Sequence, residues 1–261
     1  MKISCISDLH MGDGKSSDAF QHNECQFLQF LDYLEENYDL IVLNGDIFET
    51  HKSTIPNTPL IQLEKAQNYY KNITERFSQK NYIQIVGNHD NILESLSYPL
   101  SFLHKEKDGG EYLFLHGHRF DPIRSYGKIP PLTTWLFGWL ERHGWKNAES
   151  HFSWIDEEIG YKTGENNVFL LRDGAKEICA ESNGENPMHV IMGHTHENPV
   201  IIQCGESEYI NTGGCLRGRI QFAHIDTGNR ENRVYNFSKT NRFGIAVRTK
   251  YPQPNLYSRL Q

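Results

Sequence analysis

Val190-Ile191-Met192-Gly193-His194-Thr195-His196 is the stretch on which the reading of this chain turns. Three apolar residues running into a glycine have the pattern of a buried strand that stops. Past the stop stand two imidazoles separated by one residue, so one strand end can reach two points of a cleft. Four earlier stretches repeat the arrangement, each just past an apolar run: Asp8-Leu9-His10, Gly45-Asp46, Gly87-Asn88-His89-Asp90 and His116-Gly117-His118. Taken together, the five stretches read as a two-metal hydrolase.

Working outward, the runs before these stretches are 3–6, 40–43, 82–86 and 112–115. Between them the apolar period changes. Phe27, Phe30, Leu31 and Leu34 recur at helical spacing, which predicts a helix over 25–36. Leu63, Ala66, Tyr70, Ile73 and Phe77 mark a second helix, and 167–182 predicts another before the last strand. Strands alternating with helices argue for an α/β layered fold whose functional groups collect at the carboxyl ends of the strands. After His196 the rhythm shortens. Runs at 200–202, 208–210, 219–225 and 233–237 predict antiparallel strands that complete a second sheet. Residues 122–160 break the pattern. Pro130-Pro131 opens a helical spacing of Leu132, Trp135, Leu136, Trp139 and Leu140, and all four tryptophans lie from Trp135 to Trp154. This reads as an inserted helical cap, its aromatics either packing it onto the body or forming a greasy lid. The expected division is a domain over 1–240 that includes the cap, then a tail over 241–261.

The 261 residues suffice for one large domain, or for one domain plus a cap. No apolar run approaches the roughly 18 residues of a membrane-spanning helix. The first strand begins beside Met1, and mean hydropathy is −0.61, so the expected setting is the cytoplasm. Five scattered cysteines without a C-x-x-C pair read as buried free thiols. A net charge of −7 argues against a general nucleic-acid binder without excluding a nucleic-acid substrate. From Asn232 onward no Asp or Glu occurs, and the basic residues there read as a solvated tail.

A single Asp-x-His or Gly-Asp is weak evidence, because such residues fill turns everywhere. The weight lies in the ensemble. A carboxylate has two oxygens and can bridge two cations, imidazole binds through one nitrogen, and the Asn88 carbonyl adds a neutral oxygen. Mixed nitrogen and oxygen donors without thiolate suit manganese, iron, zinc or related divalent ions better than calcium. Two such ions about 3.5–4 Å apart can share a water, lower its pKa and clamp a phosphoryl oxygen.

The order Asp-x-His, Gly-Asp, Gly-Asn-His-Asp, His, Gly-His-x-His resembles the calcineurin-like metallophosphoesterase superfamily over nearly the whole chain, and Asn211-Thr212-Gly213 resembles the Asn-x-Gly found after the final histidines. The resemblance implies a four-layer α-β-β-α sandwich of two mixed sheets. It implies two divalent ions, manganese first, with iron, zinc or nickel as the others. Asp8, His10 and His196 would bind one, Asp46 would bridge, and Asn88, His116 and His194 would bind the second. His118 is the alternative to His116. His89 would face the phosphate as a catalytic group rather than a ligand. Glu49 or, alternatively, Asp90 would orient it. Arg119, Arg124, Arg217 and Arg219 are either surface residues or clamps on substrate phosphate, whereas His51, His143 and His151 read as ordinary surface or cap histidines. The implied activity is phosphoester hydrolysis, as phosphatase or phosphodiesterase, by a metal-bridging water.

Gly-Asp-Ile-Phe-Glu, Asp121 after the His-Gly motif and the helical insert also resemble the UDP-2,3-diacylglucosamine pyrophosphohydrolase branch, which would make the substrate lipid-linked. That branch typically has Arg where His89 stands and Gly-Asp where this chain has Gly117-His118. A small-molecule phosphoester is therefore the first expectation, the lipid nucleotide the second. A catalytically inactive metal-binding scaffold is the reading from another class. Oligomeric state is not readable.

Overall fold

Three parallel strands set the frame. The computed structural model describes residues 1–52, 58–107, 109–121, 135–136, 138–141, 143, 145, 167–181, 186–237 and 247–248. In it β1 (Lys2–Ile6), β2 (Leu40–Asn44) and β3 (Tyr82–Ile85) lie side by side, with Ile6 beside Leu43 and Asn44 beside Ile85. On the other flank of β1 the sheet continues antiparallel through β9 (Ile220–Asp226), β10 (Glu231–Phe237) and β11 (Val247–Arg248). The second sheet has five strands, in the order β4 (Ser101–Lys105), β5 (Glu111–Leu115), β6 (Met188–Met192), β8 (Ser207–Asn211) and β7 (Val200–Cys204). Its centre, β5-β6-β8, is parallel and both edges are antiparallel.

Strand alternation builds the layers. In β6, Ile191 joins the apolar layer between the sheets with Ile3, Val42, Phe114 and Ile225. Its neighbours Val190 and Met192 point the other way, onto Leu171, Ala175 and Cys179 of α5 (Asn167–Glu181). In β2, Ile41 and Leu43 pack toward α1 (Glu24–Asn37), α2 (Pro59–Tyr69) and α3 (Lys71–Phe77), while Val42 faces the other sheet. The result is the expected α-β-β-α sandwich of two mixed sheets.

Three expectations change. The single helix expected over Leu63 to Phe77 is two, broken at Tyr70. The Tyr70 hydroxyl donates to the buried carboxylate of Asp18 at 2.9 Å, and its backbone leaves helical geometry there. The strands after His196 do not all complete the second sheet. β7 and β8 do, but β9 returns to β1 and carries β10 with it, because Phe222 fills the helix-side core and Ala223 and Ile225 fill the layer between sheets. Edge strand β4 and the short helix α4 (Ile92–Ser95) were not expected.

The inserted cap lies mostly outside the described residues. Those described are helical at 135–136 and 138–141, and Glu141 there pairs with Lys52 at 3.3 Å, both buried. Among the described residues no helix is long and apolar enough to cross a membrane.

Candidate metal centre

Because β1, β2, β3, β5, β6 and β8 share a direction within their sheets, their carboxyl ends deliver the predicted residues to one edge. Each chain must turn sharply as it leaves its strand. Asp8, His10, Asp46, His194 and His196 all have positive φ, between 49° and 74°. Left-handed geometry costs a non-glycine residue roughly 1–2 kcal/mol. Its concentration on five predicted ligands marks the place where packing elsewhere holds strain. Two glycines permit close approach: a Cβ on Gly87 would lie 2.1 Å from Asp46 Oδ1, and one on Gly193 2.3 Å from Ser7 Oγ and 2.6 Å from Asp8 Oδ2.

The carboxylates are held by one oxygen each. Asp8 Oδ2 accepts from the Ser7 hydroxyl and from the His194 backbone N–H at 3.0 Å. Asp46 Oδ1 accepts from the His89 backbone N–H at 2.7 Å. The other oxygens, Asp8 Oδ1 and Asp46 Oδ2, are buried without a hydrogen-bond partner among the described residues, as are Asn88 Oδ1 and His116 Nε2. Imidazole nitrogens crowd the two oxygens. Asp8 Oδ1 lies 3.2 Å from His196 Nε2, and Asp46 Oδ2 lies 3.1 Å from His116 Nε2 and 3.8 Å from His10 Nε2. His10 Nε2 and His196 Nε2 are 2.9 Å apart. Three groups have ligand atoms all within 4.8 Å of one another: Asp8, His10, Asp46 and His196; Asp46, His116 and His194; and, beside them, His10, Glu49 and His89. The first two contain the predicted ligands. Asp46 belongs to both.

The outer hydrogen bonds fix which ring nitrogen is offered. His116 Nδ1 donates to the Asn44 carbonyl at 2.9 Å, which turns the Nε2 lone pair inward. His194 Nε2 faces Asp121 Oδ2 at 3.1 Å; a carboxylate only accepts, so His194 donates there and Nδ1 carries its lone pair. Asp121 is fully buried. Burial opposes charge on His116, but Asp46 and then Asp8 outweigh it and raise its pKa to about 9. Burial likewise pushes Asp46 up, and His116 and His89 overcome it and hold the carboxyl well below its usual range. Two buried carboxylates facing neutral-capable imidazoles form a donor set that takes positive charge, and hard or borderline divalent ions fit it.

His89 stands beside this set. Its Nδ1 donates to Glu49 Oε2 at 2.9 Å, and its ring meets that of His10 edge-on at 4.6 Å. Glu49 Oε1 accepts from the backbone of His51 and Lys52, so one carboxylate orients both the histidine and the loop next to it. Burial would raise the Glu49 pKa, but His89 and His10 hold it well below the usual value. Asp90, the alternative partner for His89, is used otherwise: it accepts from the backbone of Gly87, Ile47 and Phe48 and ties the second and third strand ends together. His118 sits on a 3-10 turn, 5.6 Å ring to ring from His116, and burial, then the His116 charge, bring its pKa down to about 4.

Some site residues escaped the sequence reading. His51, expected at the surface, is half-buried and reaches the Asn88 carbonyl at 2.9 Å. Asp121 was noted only as a family feature, yet it holds His194. Asn211 ties the final turn, donating to Thr195 Oγ1 and accepting from Gly213 N. Arg119 lies over the Phe120 ring and Arg219 reaches the His196 carbonyl, while Arg124 and His151 lie outside the described residues. Burial, then the charge of Arg217, lower the Arg219 pKa from the ordinary guanidinium value.

The amino-acid sequence matches the family model described as calcineurin-like phosphoesterase over residues 1–198. No curated protein matches it. Among solved structures it is similar to an archaeal phosphodiesterase (18% identity, 91% of this chain and 100% of that one, TM-score 0.41). It is also similar to a dimetal phosphatase from Danio rerio (13%, 91% and 99%, 0.44) and to Vps29 from Chaetomium thermophilum (11%, 93% and 94%, 0.47). With the family model covering three quarters of its length, the chain belongs to the calcineurin-like phosphoesterase family and is a metal-dependent hydrolase of phosphoesters.

Proposed function

We propose that Asp46 bridges two divalent ions, one held also by Asp8, His10 and His196, the other by Asn88, His116 and His194. The observation that carries this reading is the membership of Asp46 in the two groups that contain the predicted ligands, with its second oxygen buried and without a hydrogen-bond partner among the described residues. Manganese is the proposed ion, ahead of iron, zinc and nickel. Bound there, two such ions supply Lewis acidity toward a phosphoryl oxygen and a lowered pKa for the water they share. The chain's own residues do the rest. Asp8 and Asp46 bring the negative charge that retains the ions. Asn44 and Asp121 fix the imidazoles of His116 and His194. Glu49 fixes the orientation of His89 through Nδ1 and leaves its Nε2 to hold or deliver a proton at the leaving oxygen.

The substrate class is a small-molecule phosphoester, cleaved as phosphatase or phosphodiesterase. The domain is taken as 1–240 with its cap at about 122–160, and 241–261 as a tail. Free cysteines throughout fit a reducing compartment, and the cytoplasm is the proposed location. The test is hydrolysis by metal-stripped protein after manganese is restored, with p-nitrophenyl phosphate and bis-p-nitrophenyl phosphate in parallel. Manganese-dependent turnover of either supports the reading, and the better substrate names the ester class. Two bound ions without turnover of either would favour a scaffold.

A further inference from the structure

The loop that follows β8 lines the Asp8 and His196 side of the centre, and the ligand set does not use its side chains. A Cβ on Gly214 would lie 3.3 Å from Asp8 Cβ and 3.8 Å from His196 Cα, so the loop backbone runs against both residues. It is pinned from both sides. Cys215 N donates to the Ser7 carbonyl at 3.0 Å, Arg217 N to Ala19 at 2.7 Å, and Gly218 N to Phe20 at 3.2 Å. Arg217 and Gly218 are successive left-handed residues, φ 54° and 70°, which turns the loop so that Arg219 comes back over the His196 turn. The Arg219 guanidinium meets the His196 carbonyl at 3.4 Å. Among the described residues no carboxylate lies within ion-pairing distance of it. A second cation, Arg217, stands two residues away, and both are half-buried.

A half-buried guanidinium beside a like charge, whose bonded partner among the described residues is a carbonyl, has donors left for an anion. Its position beside His196 puts those donors next to, not within, the proposed metal pair. We propose that Arg219 is a second anion site, taking a phosphate group of the substrate other than the one that is cleaved, so that the preferred substrates carry two phosphates. This rests on the proposed two-metal phosphoesterase reading and narrows its substrate class. Arginine suits the task because its planar fork matches two phosphate oxygens at once.

The test compares two esters that share scissile bond and leaving group: thymidine 5′-(p-nitrophenyl phosphate) with and without a 3′-phosphate, on the manganese-loaded full chain. The expected kcat/KM ratio, with over without, is about 10- to 100-fold, the worth of charged hydrogen bonds to phosphate. Arg219→Gln brings the ratio to about 1 and Arg219→Lys to an intermediate value. Loss of activity toward both esters by the same factor in Arg219→Gln would reduce Arg219 to a prop for the His196 carbonyl and overturn the proposal. So would a wild-type ratio near 1 with both esters hydrolysed, which leaves the phosphoesterase reading standing. Absence of p-nitrophenol release from either ester by the wild type would exclude the phosphodiesterase form of that reading and overturn this proposal with it, while turnover of p-nitrophenyl phosphate would leave the phosphatase form standing. Should the variants fail to fold, inhibition of the wild type decides: thymidine 3′,5′-bisphosphate must inhibit more tightly than thymidine 5′-phosphate by a similar factor, and equal inhibition overturns the proposal.

Discussion

The two halves of the proposed metal centre are built differently. On one side, His116 and His194 have side chains 0% and 1% exposed, and each is held from behind by a buried acceptor, Asn44 O or Asp121. On the other, the His196 side chain is 31% exposed, and His10 and His196 face each other across 2.9 Å. Asp46 stands in both groups, and Asp8 lies with His10 and His196. One half is a preformed socket in the protein interior. The other opens through His196 alone, and we propose that it is the mouth by which ions and substrate arrive. Preorganised, dry ligands exchange slowly and tolerate little change, whereas a half-open site trades affinity for access.

The largest expected effect removes the shared element. Asp46→Asn takes away the charge common to both halves and should lower manganese-dependent turnover by at least about 10³-fold, with fewer than two ions retained. Hydrolysis and metal content measured on the same preparation check it. Next comes His89, the proposed catalytic histidine. His89→Ala should cut turnover by about 10²- to 10⁴-fold with both ions in place, since its Nδ1 is engaged by Glu49 and it stands outside the two groups that contain Asp46. Equal metal loss in the two variants would mean that His89 is a ligand.

Smaller effects sharpen the asymmetry itself. Asp121→Ala should weaken metal binding in the socket by about 10- to 100-fold and leave the mouth alone, visible as the loss of one of two binding steps by titration calorimetry. Chelation of the loaded protein should release metal in two phases. His196→Ala should speed only the faster phase, and a single phase in the wild type would erase the distinction between socket and mouth.

Much of this arrangement is readable in the chain because the signals are local. Apolar runs of three to five residues followed by glycine, aspartate or histidine state both the strand and the cargo at its end, and Asp8, His10, Asp46, His116, His194 and His196 stand in the two groups that share Asp46. What was unreadable depends on partners far away in sequence. Asp121 acts on His194 across 73 residues and His51 on Asn88 across 37, so neither carries a spacing that betrays it. Tyr70 breaks a periodic helix because of Asp18, 52 residues earlier. Strands β9 and β10 look like their predecessors, and only the core they fill assigns them to the first sheet. Edge strand β4 alternates half-exposed with exposed residues, which leaves little apolar signal to detect.

The central claim is that two ions share Asp46, and electron paramagnetic resonance of the manganese-saturated protein tests it most directly. The account predicts the spectrum of an exchange-coupled manganese pair in the wild type and isolated manganese in Asp46→Asn. Isolated manganese in the saturated wild type, or an unchanged coupled pair in Asp46→Asn, would contradict it.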